Sequence, residues 1–90
     1  MSQKKKAQRA AFREAVFTRD KHRCKVCGAS EGPLDAHHIT PREEMPGGRY
    51  IAENGITLCA DCHICAEDHL QGRRLSERFS PEVLRLLALA

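Results

Sequence analysis

The sequence predicts a small α+β domain in which two short strands lie between helices and a metal site braces the fold. Three features lead to this prediction: a helical apolar pattern near the N-terminus, two strand-like segments, and two Cys-x-x-Cys pairs. The chain of 90 residues is long enough for one domain at most. With three Phe, one Tyr and no Trp, it lacks the aromatic side chains of a large core. A chain of this size usually needs a disulfide set, a metal or a partner for stability.

The chain carries no sequence signal of membrane insertion or secretion. No apolar run approaches the roughly 18 residues of a membrane-spanning helix, and the basic N-terminus has no apolar stretch behind it. We therefore expect no membrane contact, no signal peptide and a cytoplasmic location. Cysteines there more often bind metal than form disulfides, and their odd number, five, also argues against a purely disulfide framework.

Positive charge is concentrated at the start of the chain. Residues 1–25 contain nine Lys or Arg against two acidic residues, whereas the remainder has six basic and ten acidic residues. A basic arm on an acidic body suits a polyanionic partner such as DNA, although a solubilising tail would give the same pattern. The candidate DNA contacts in this part are Lys4, Lys5, Lys6, Arg9 and Arg13.

The N-terminal segment is predicted to be a disordered arm followed by a helix. Residues 1–6 are polar, charged and without periodicity. Residues 7–19 are predicted to be helical, because Phe12, Val16 and Arg19 recur on one helical stripe. We expect Phe12 and Val16 to pack on the domain while the basic side faces solvent or phosphate.

Two strands and a long connection form the predicted centre of the domain. Residues 34–39 form the first predicted strand, and residues 56–58, after the turn signal Asn54-Gly55, form the second. Residues 41–50 between them contain prolines, glycines and mixed charges without periodicity, which predicts a loop. The strands are expected to pair as in a hairpin.

Two helices are predicted after the strands. One opens at the second cysteine pair and runs to about Leu70, with Gly72 as a stop signal. The other covers residues 80–90, with Ser80 as N-cap and Pro81 at the first helical position. Its leucine-rich sequence is apolar nearly all round. We therefore expect one face to be buried and the other to be available to a protein partner or a second copy of the chain.

The two cysteine pairs predict a structural zinc site. Each Cys-x-x-Cys presents two sulfurs on one side of a turn, and four thiolates satisfy tetrahedral zinc. Such a site would contribute folding free energy to a chain with a thin core. Redox dithiols or disulfides are the alternatives, and the missing thioredoxin-like βαβ pattern weighs against the first. The predicted ligands are Cys24, Cys27, Cys59 and Cys62, and the surplus Cys65 is expected to be a free buried thiol.

The ordered motifs resemble those of the HNH (His-Asn-His) endonucleases. They are Ala36-His37-His38-Ile39, then Asn54-Gly55-Ile56-Thr57-Leu58-Cys59, then Cys62-His63. The resemblance covers residues 24–67 and is closest to members in which zinc-binding cysteine pairs bracket a ββα-metal (His-Me finger) core. It implies a single HNH domain over residues 1–90, with flanking N- and C-terminal helices, similar to small phage or mobile-element nucleases in a bacterial or phage-infected cell.

The resemblance implies separate roles for the histidine doublet. His37 and His63 are the expected ligands of one divalent cation, His38 is the expected general base, and Asn54 braces the loop and helps to orient that base. Neighbouring residues on a strand point to opposite faces, which agrees with separate roles. An imidazole of pKa about 6.5 can deprotonate water near neutral pH. Two imidazole ligands favour Mn²⁺, Ni²⁺ or Zn²⁺ over Mg²⁺ as the catalytic ion.

Other polar residues leave alternatives open. Asp35 shares the face of the first histidine and is either an acceptor that orients a ligand histidine, which we prefer, or a direct ligand. Glu67, one turn after His63, is a candidate to approach the metal or to hydrogen-bond a ligand. His69 points away on its helix and is expected to be a surface or phosphate-contacting residue. His22 is given no role.

The expected activity is metal-dependent cleavage of DNA to 3′-hydroxyl and 5′-phosphate ends, in one strand or both. Arg42, on the loop after the doublet, is either a phosphate clamp or an exposed loop side chain. The alternative function is a non-catalytic, zinc-stabilised DNA-binding or assembly module of a phage-type packaging or nuclease complex. The presence of His37, His38, Asn54 and His63 favours the enzyme.

Overall fold

The part of the chain that the structure describes folds into three helices and a two-stranded sheet. This computed structural model describes residues 3–40 and 51–90, with side chains from residue 6 onward, so the predicted loop 41–50 with Arg42 lies outside the described residues. The elements are α1 (Gln3–Arg19), β1 (Leu34–His38), β2 (Gly55–Cys59), α2 (Ala60–Gln71) and α3 (Pro81–Leu89), with short 3-10 helices at Ala52–Asn54 and Glu77–Phe79. The predicted α+β class is confirmed. Within the described ranges, no helix has the length and apolar character needed to cross a membrane.

Helix α1 begins earlier than the apolar pattern predicted. It starts at Gln3, so the prediction of a disordered arm over residues 1–6 is wrong from that residue onward. The reason is intrinsic propensity: Gln, Lys and Ala are good helix formers, and no Gly or Pro interrupts them. Phe12 and Val16 are buried, as predicted from the helical stripe.

The two strands form an antiparallel pair in which His37 lies opposite Ile56 and His38 opposite Gly55. Residues 55–58 of β2 are all buried. A two-stranded sheet is only marginally stable alone, so coverage of both faces is what keeps this one folded.

The larger core lies on the sheet face that carries His37. It joins the hairpin to α2, α3 and the cysteines through Cys24, Ile39, Ile56, Leu58, Cys62, Ala66, Phe79, Leu84 and Ala88. The predicted caps of the two helices are present. Helix α2 ends at Gly72, which has a left-handed φ of 76°, and Ser80 Oγ accepts a hydrogen bond from the Val83 N–H at 3.3 Å.

Helix α1 covers the opposite sheet face and approaches it closely at Gly55. This glycine has an extended φ of −116°, so its backbone would accept other residues. A Cβ atom here would instead lie 2.4 Å from Val16 Cγ2 and 2.7 Å from Phe12 Cζ. Asn54-Gly55 therefore closes the predicted turn, in which the Gly55 N–H donates to the Ala52 carbonyl, and the glycine also permits the close approach of α1. Strand β2 begins at the glycine itself.

Candidate metal centre and active site

The four predicted zinc ligands meet in one cluster. The sulfur atoms of Cys24, Cys27, Cys59 and Cys62 lie within 4.8 Å of one another, and those of Cys27 and Cys59 are 3.7 Å apart. Gly28 follows the first pair with a left-handed φ of 82°, which permits the tight turn. Its N–H donates to the Cys24 carbonyl at 2.8 Å and closes the knuckle.

The charges in this cluster favour a bound cation. Burial raises the pKa of the Cys24 thiol, but backbone N–H donors, the first at Cys27, outweigh it and lower that pKa from 9.0 to about 7. Burial and the neighbouring sulfur atoms raise the pKa of Cys62. One thiolate therefore forms readily and opposes ionisation of the next, so a cation is needed for all four to ionise. Four close sulfurs fit tetrahedral zinc.

A second cluster connects β1 to α2. The ligand atoms of His37, His63 and Glu67 lie within 4.8 Å of one another. Helix α2 brings His63 and Glu67 onto one face because they are four residues apart. Glu67 Oε1 lies 3.6 Å from His37 Nδ1 and 3.4 Å from His63 Nε2, so the carboxylate stands between the two imidazoles.

His37 is buried in a form suited to metal binding. Its residue is 2% exposed, and neither ring nitrogen has a hydrogen-bond partner in the part of the chain that the structure describes. Burial, together with the charges of His63 and His38, lowers the pKa of His37 from 6.5 to about 4. The imidazole is therefore neutral at pH 7 and offers a lone pair without proton competition. Unsatisfied buried nitrogens beside a carboxylate fit a divalent cation.

Asp35 touches this cluster from its edge. Its Oδ2 lies 3.3 Å from His63 Nδ1, on the ring side opposite the nitrogen nearest Glu67. A carboxylate in that position holds a ligand histidine in one orientation and makes it a stronger donor. The geometry therefore distinguishes the two acids. Glu67 lies close to both histidines, whereas Asp35 lies close to His63 alone.

His38 lies on the other face of the sheet, as strand geometry predicts. Its ring stacks on Phe12 of α1, with centroids 4.6 Å apart and planes inclined by 12°. Asn54 holds the chain just beyond it: Asn54 Oδ1 accepts from the Thr40 N–H at 2.9 Å, and Nδ2 donates to the Thr40 carbonyl at 3.2 Å. The Asn54 carbonyl also accepts from the Ile39 N–H at 2.8 Å. These contacts match a bracing function.

Arg19 and Asp20 form a network that the sequence pattern did not indicate. Arg19 Nε and Nη2 donate to the Asp20 carboxylate at 2.8 and 2.9 Å. Nη1 donates to the Ala52 carbonyl and Nη2 to the Gly55 carbonyl, both at 2.8 Å. The carboxylate also accepts from the Thr57 N–H at 2.9 Å. The available signal was a charged residue on the apolar stripe of α1, followed at once by an acid.

The remaining candidates lie apart from both clusters. His69 Nδ1 accepts from the Ser76 N–H at 2.9 Å, so this side chain anchors the segment after α2. His22 has a left-handed φ of 55° at the end of α1, and its ring lies 6.0 Å from that of Phe17. Cys65 is a free thiol, as predicted, but it is half-buried against the larger core rather than fully buried.

All the candidate DNA contacts except Arg42 lie along α1. Lys6 and Arg13 are exposed and Arg9 is half-buried. The Arg13 guanidinium lies 5.2 Å above the Phe17 ring centroid, a distance at which cation and ring attract each other. The remaining candidates, whose side chains lie outside the described ones, are Lys4, Lys5 and Arg42.

These features define a class of protein in which a β-hairpin and the following helix carry a histidine-rich cluster that could hold a metal ion, beside a four-cysteine cluster. Residues 24–69 match the HNH endonuclease family, and the chain belongs to that family. Its four clustered cysteines fit the zinc-knuckle subset. The chain is also similar to "Uncharacterized protein YisB" of Bacillus subtilis (strain 168), with 42% identity over 40 residues, or 44% of this chain and 36% of that protein. It thus spans about a third of that relative's length. No solved structure matches the chain.

We predict that His37 makes the folded state sensitive to mild acid. Its pKa is about 4 when folded and 6.5 in the ordinary state, so the unfolded chain takes up the proton first. The stabilisation is complete above pH 6.5 and is lost as the pH falls towards 4, by about 3 kcal/mol in total. Urea unfolding across this pH range, without added divalent ion, measures the effect.

His37→Gln should lack this component of the pH dependence, whereas His22→Asn should retain it. His22→Asn is a matched control because Asn tolerates the left-handed backbone at that exposed position. Equal pH slopes for His37→Gln and the wild type would contradict the prediction.

Proposed function

We propose that the chain is a metal-dependent endonuclease that hydrolyses phosphodiester bonds of DNA. The observation that carries the proposal is the division of the histidine doublet between two faces of one strand. His37 contributes to a three-residue metal-binding cluster, and His38 belongs to the other face. Membership of the HNH endonuclease family supports the same reaction. The cut leaves 3′-hydroxyl and 5′-phosphate ends, in one strand or in both.

His38 accepts the proton of the attacking water in this proposal. An imidazole suits that step because it exchanges protons near neutral pH. Two features support the assignment by restricting the position of the ring. Phe12 stacks on one ring face, and Asn54 fixes the backbone at Thr40, two residues further along. A base held in one orientation loses less freedom on the way to the transition state.

His37, His63 and Glu67 would hold the catalytic divalent cation, with Asp35 orienting His63. When bound, such an ion supplies positive charge that stabilises the scissile phosphate and the departing 3′ oxygen. The candidate ions are Mg²⁺, Mn²⁺, Ni²⁺ and Zn²⁺, and two imidazoles with one carboxylate favour the last three.

The four-cysteine cluster holds a structural Zn²⁺ ion in this proposal. Cys59 ends β2 and Cys62 lies in the first turn of α2, so metal at this cluster fixes the helix that carries His63 relative to the hairpin. The zinc thereby supports the catalytic site without taking part in its chemistry.

The proposed partners follow from charge and exposed apolar surface. In this proposal the phosphate contacts come from basic residues of α1 and of the segment that follows β1, namely Lys4, Lys5, Lys6, Arg9, Arg13 and Arg42. Leu86 and Leu89 of α3 are exposed and offer a surface to a protein partner or a second copy. We further propose that the protein acts in the cytoplasm as a nuclease of the phage or mobile-element type, with no membrane contact.

Replacing the proposed base should remove cleavage without loss of fold. We predict that His38→Ala slows plasmid nicking by about 10²–10⁴-fold, because proton transfer by a positioned side chain contributes that much. The assay uses supercoiled plasmid with each of the four ions and an EDTA control, alongside circular dichroism. His22→Asn should cleave at the wild-type rate.

Cleavage that persists in His38→Ala would refute the assignment of the base. If the wild-type chain cuts with none of the ions, the non-catalytic DNA-binding module becomes the better description.

The two acids near the histidines should differ in their effect on metal affinity. We predict that Glu67→Gln weakens Mn²⁺ binding by about 100-fold and Asp35→Asn by about 10-fold, since the first contacts both histidines and the second only one. Isothermal titration calorimetry measures both. Asp68→Asn is the charge-matched control, because Asp68 pairs with Arg73 instead. A larger loss for Asp35→Asn than for Glu67→Gln would reverse the assignment.

The two metal sites should respond differently to chelation. We predict one tightly held zinc per chain by elemental analysis, and a mild EDTA treatment that stops cleavage while the fold and the zinc remain. Cys62→Ser should lose the zinc and unfold, because structural zinc contributes folding free energy directly. Cys65→Ser, with its sulfur outside the cluster, should keep both zinc and fold. A fully folded, zinc-free Cys62→Ser variant would exclude a structural role.

A further inference from the structure

The Arg19–Asp20 network covers the outer edge of β2. In an antiparallel pair, backbone groups of alternate residues point away from the partner strand. The Gly55 carbonyl accepts a hydrogen bond from Arg19, and the Thr57 N–H donates to Asp20. The Lys25 N–H donates to the Thr57 carbonyl at 3.0 Å. The segment after α1 thus meets the strand edge much as a third strand would.

Arg19 donates hydrogen bonds to two backbone carbonyls of residues 52–55, the segment that ends opposite His38. One is the carbonyl of Gly55, the residue directly opposite His38 in the strand register. The other is the carbonyl of Ala52, which begins the 3-10 turn ending in Asn54. A guanidinium is a planar, rigid donor, so it fixes the two carbonyls relative to each other.

Asp20 fixes the orientation of that guanidinium. Its residue is 4% exposed, and it receives two hydrogen bonds from Arg19 and one from Thr57. A buried carboxylate is costly unless it is paired and fully hydrogen-bonded, and this one has three donors. The Asp20 carboxylate is therefore buried and satisfied, whereas Arg19 lies at the surface with its side chain 30% exposed.

We propose that Arg19 and Asp20 are positioning residues for His38. In this proposal they fix the backbone of residues 52–55. That backbone places Gly55 opposite His38 and Asn54 in contact with Thr40, two residues after His38. The inference rests on the proposed function of His38 as general base. The metal-binding residues His37 and His63 belong to the other face of the sheet. Loss of the Arg19–Asp20 network should therefore displace His38 without changing metal binding.

The kinetic test compares Arg19→Gln and Arg19→Lys with the wild type in plasmid nicking. We expect Arg19→Gln to lower kcat by about 10–100-fold with KM changed less than about two-fold, as misalignment of a catalytic group does. Arg19→Lys keeps the charge but loses the planar fork, so it should also lose kcat. If Arg19 were instead a phosphate contact, Arg19→Lys would retain kcat and Arg19→Gln would raise KM, which would overturn the proposal.

Arg73→Gln is the matched control. Arg73 Nε donates to Asp68 at 2.8 Å, the same kind of ion pair, but on the exposed surface after α2. It should leave both kcat and KM unchanged. A fall in kcat equal to that of Arg19→Gln would overturn the proposal.

A spectroscopic test separates this proposal from the proposed function. Long-range ¹H–¹⁵N spectra report the ring environment of each histidine with or without cleavage. We expect the His38 signals to shift or broaden in Arg19→Gln, while those of His69, which Ser76 anchors elsewhere, stay unchanged. A lower melting temperature with unperturbed His38 signals would mean that the Arg19–Asp20 network only stabilises the fold, and would overturn the inference. Perturbed His38 signals in a chain that does not cleave would support positioning and refute only the nuclease function.

Discussion

Coverage of a two-stranded hairpin is the constraint on which the rest of the structure depends. Two strands alone cannot exclude water from their faces or satisfy their outer backbone groups. Here α1 closes one face at Gly55, the larger core closes the other, and Arg19 and Asp20 meet the free edge. The hairpin can therefore present His37 and His38 in fixed positions although the domain is small.

The same coverage separates two chemical environments that lie one residue apart. On one face, burial keeps the His37 ring neutral beside Glu67, which suits a metal ligand. On the other, the ring of His38 is held against an aromatic side chain. The alternation of a strand thus allows two adjacent imidazoles to differ in role. A metal ion held by the four cysteines would tie the turn at Cys24 and Cys27 to the start of α2.

Short-range signals and recognisable metal-binding motifs were predictable from the sequence, and packing between distant segments that no motif marks was not. The Ser80 cap and the Gly72 stop act over a few residues, and both appear where predicted. The four-cysteine cluster joins distant segments, but its two Cys-x-x-Cys pairs mark it in the sequence. The turn at Asn54-Gly55 was predicted, but the need for a glycine against α1 was not, because that contact joins segments far apart in the chain. Arg19 and Asp20 were missed for the same reason. The start of α1 was missed because polar helix formers leave no apolar periodicity.

Helix α1 lies outside residues 24–69, the part of the chain that matches the family, yet it covers one face of that part. The matching segment is therefore not a self-sufficient module. Transplanted into another protein, it would expose the surface around Gly55 and the edge of β2. Any host that carries such a segment must supply a substitute cover from its own sequence. A different cover could change the position of His38 while leaving His37 and His63, on the other face, where they are.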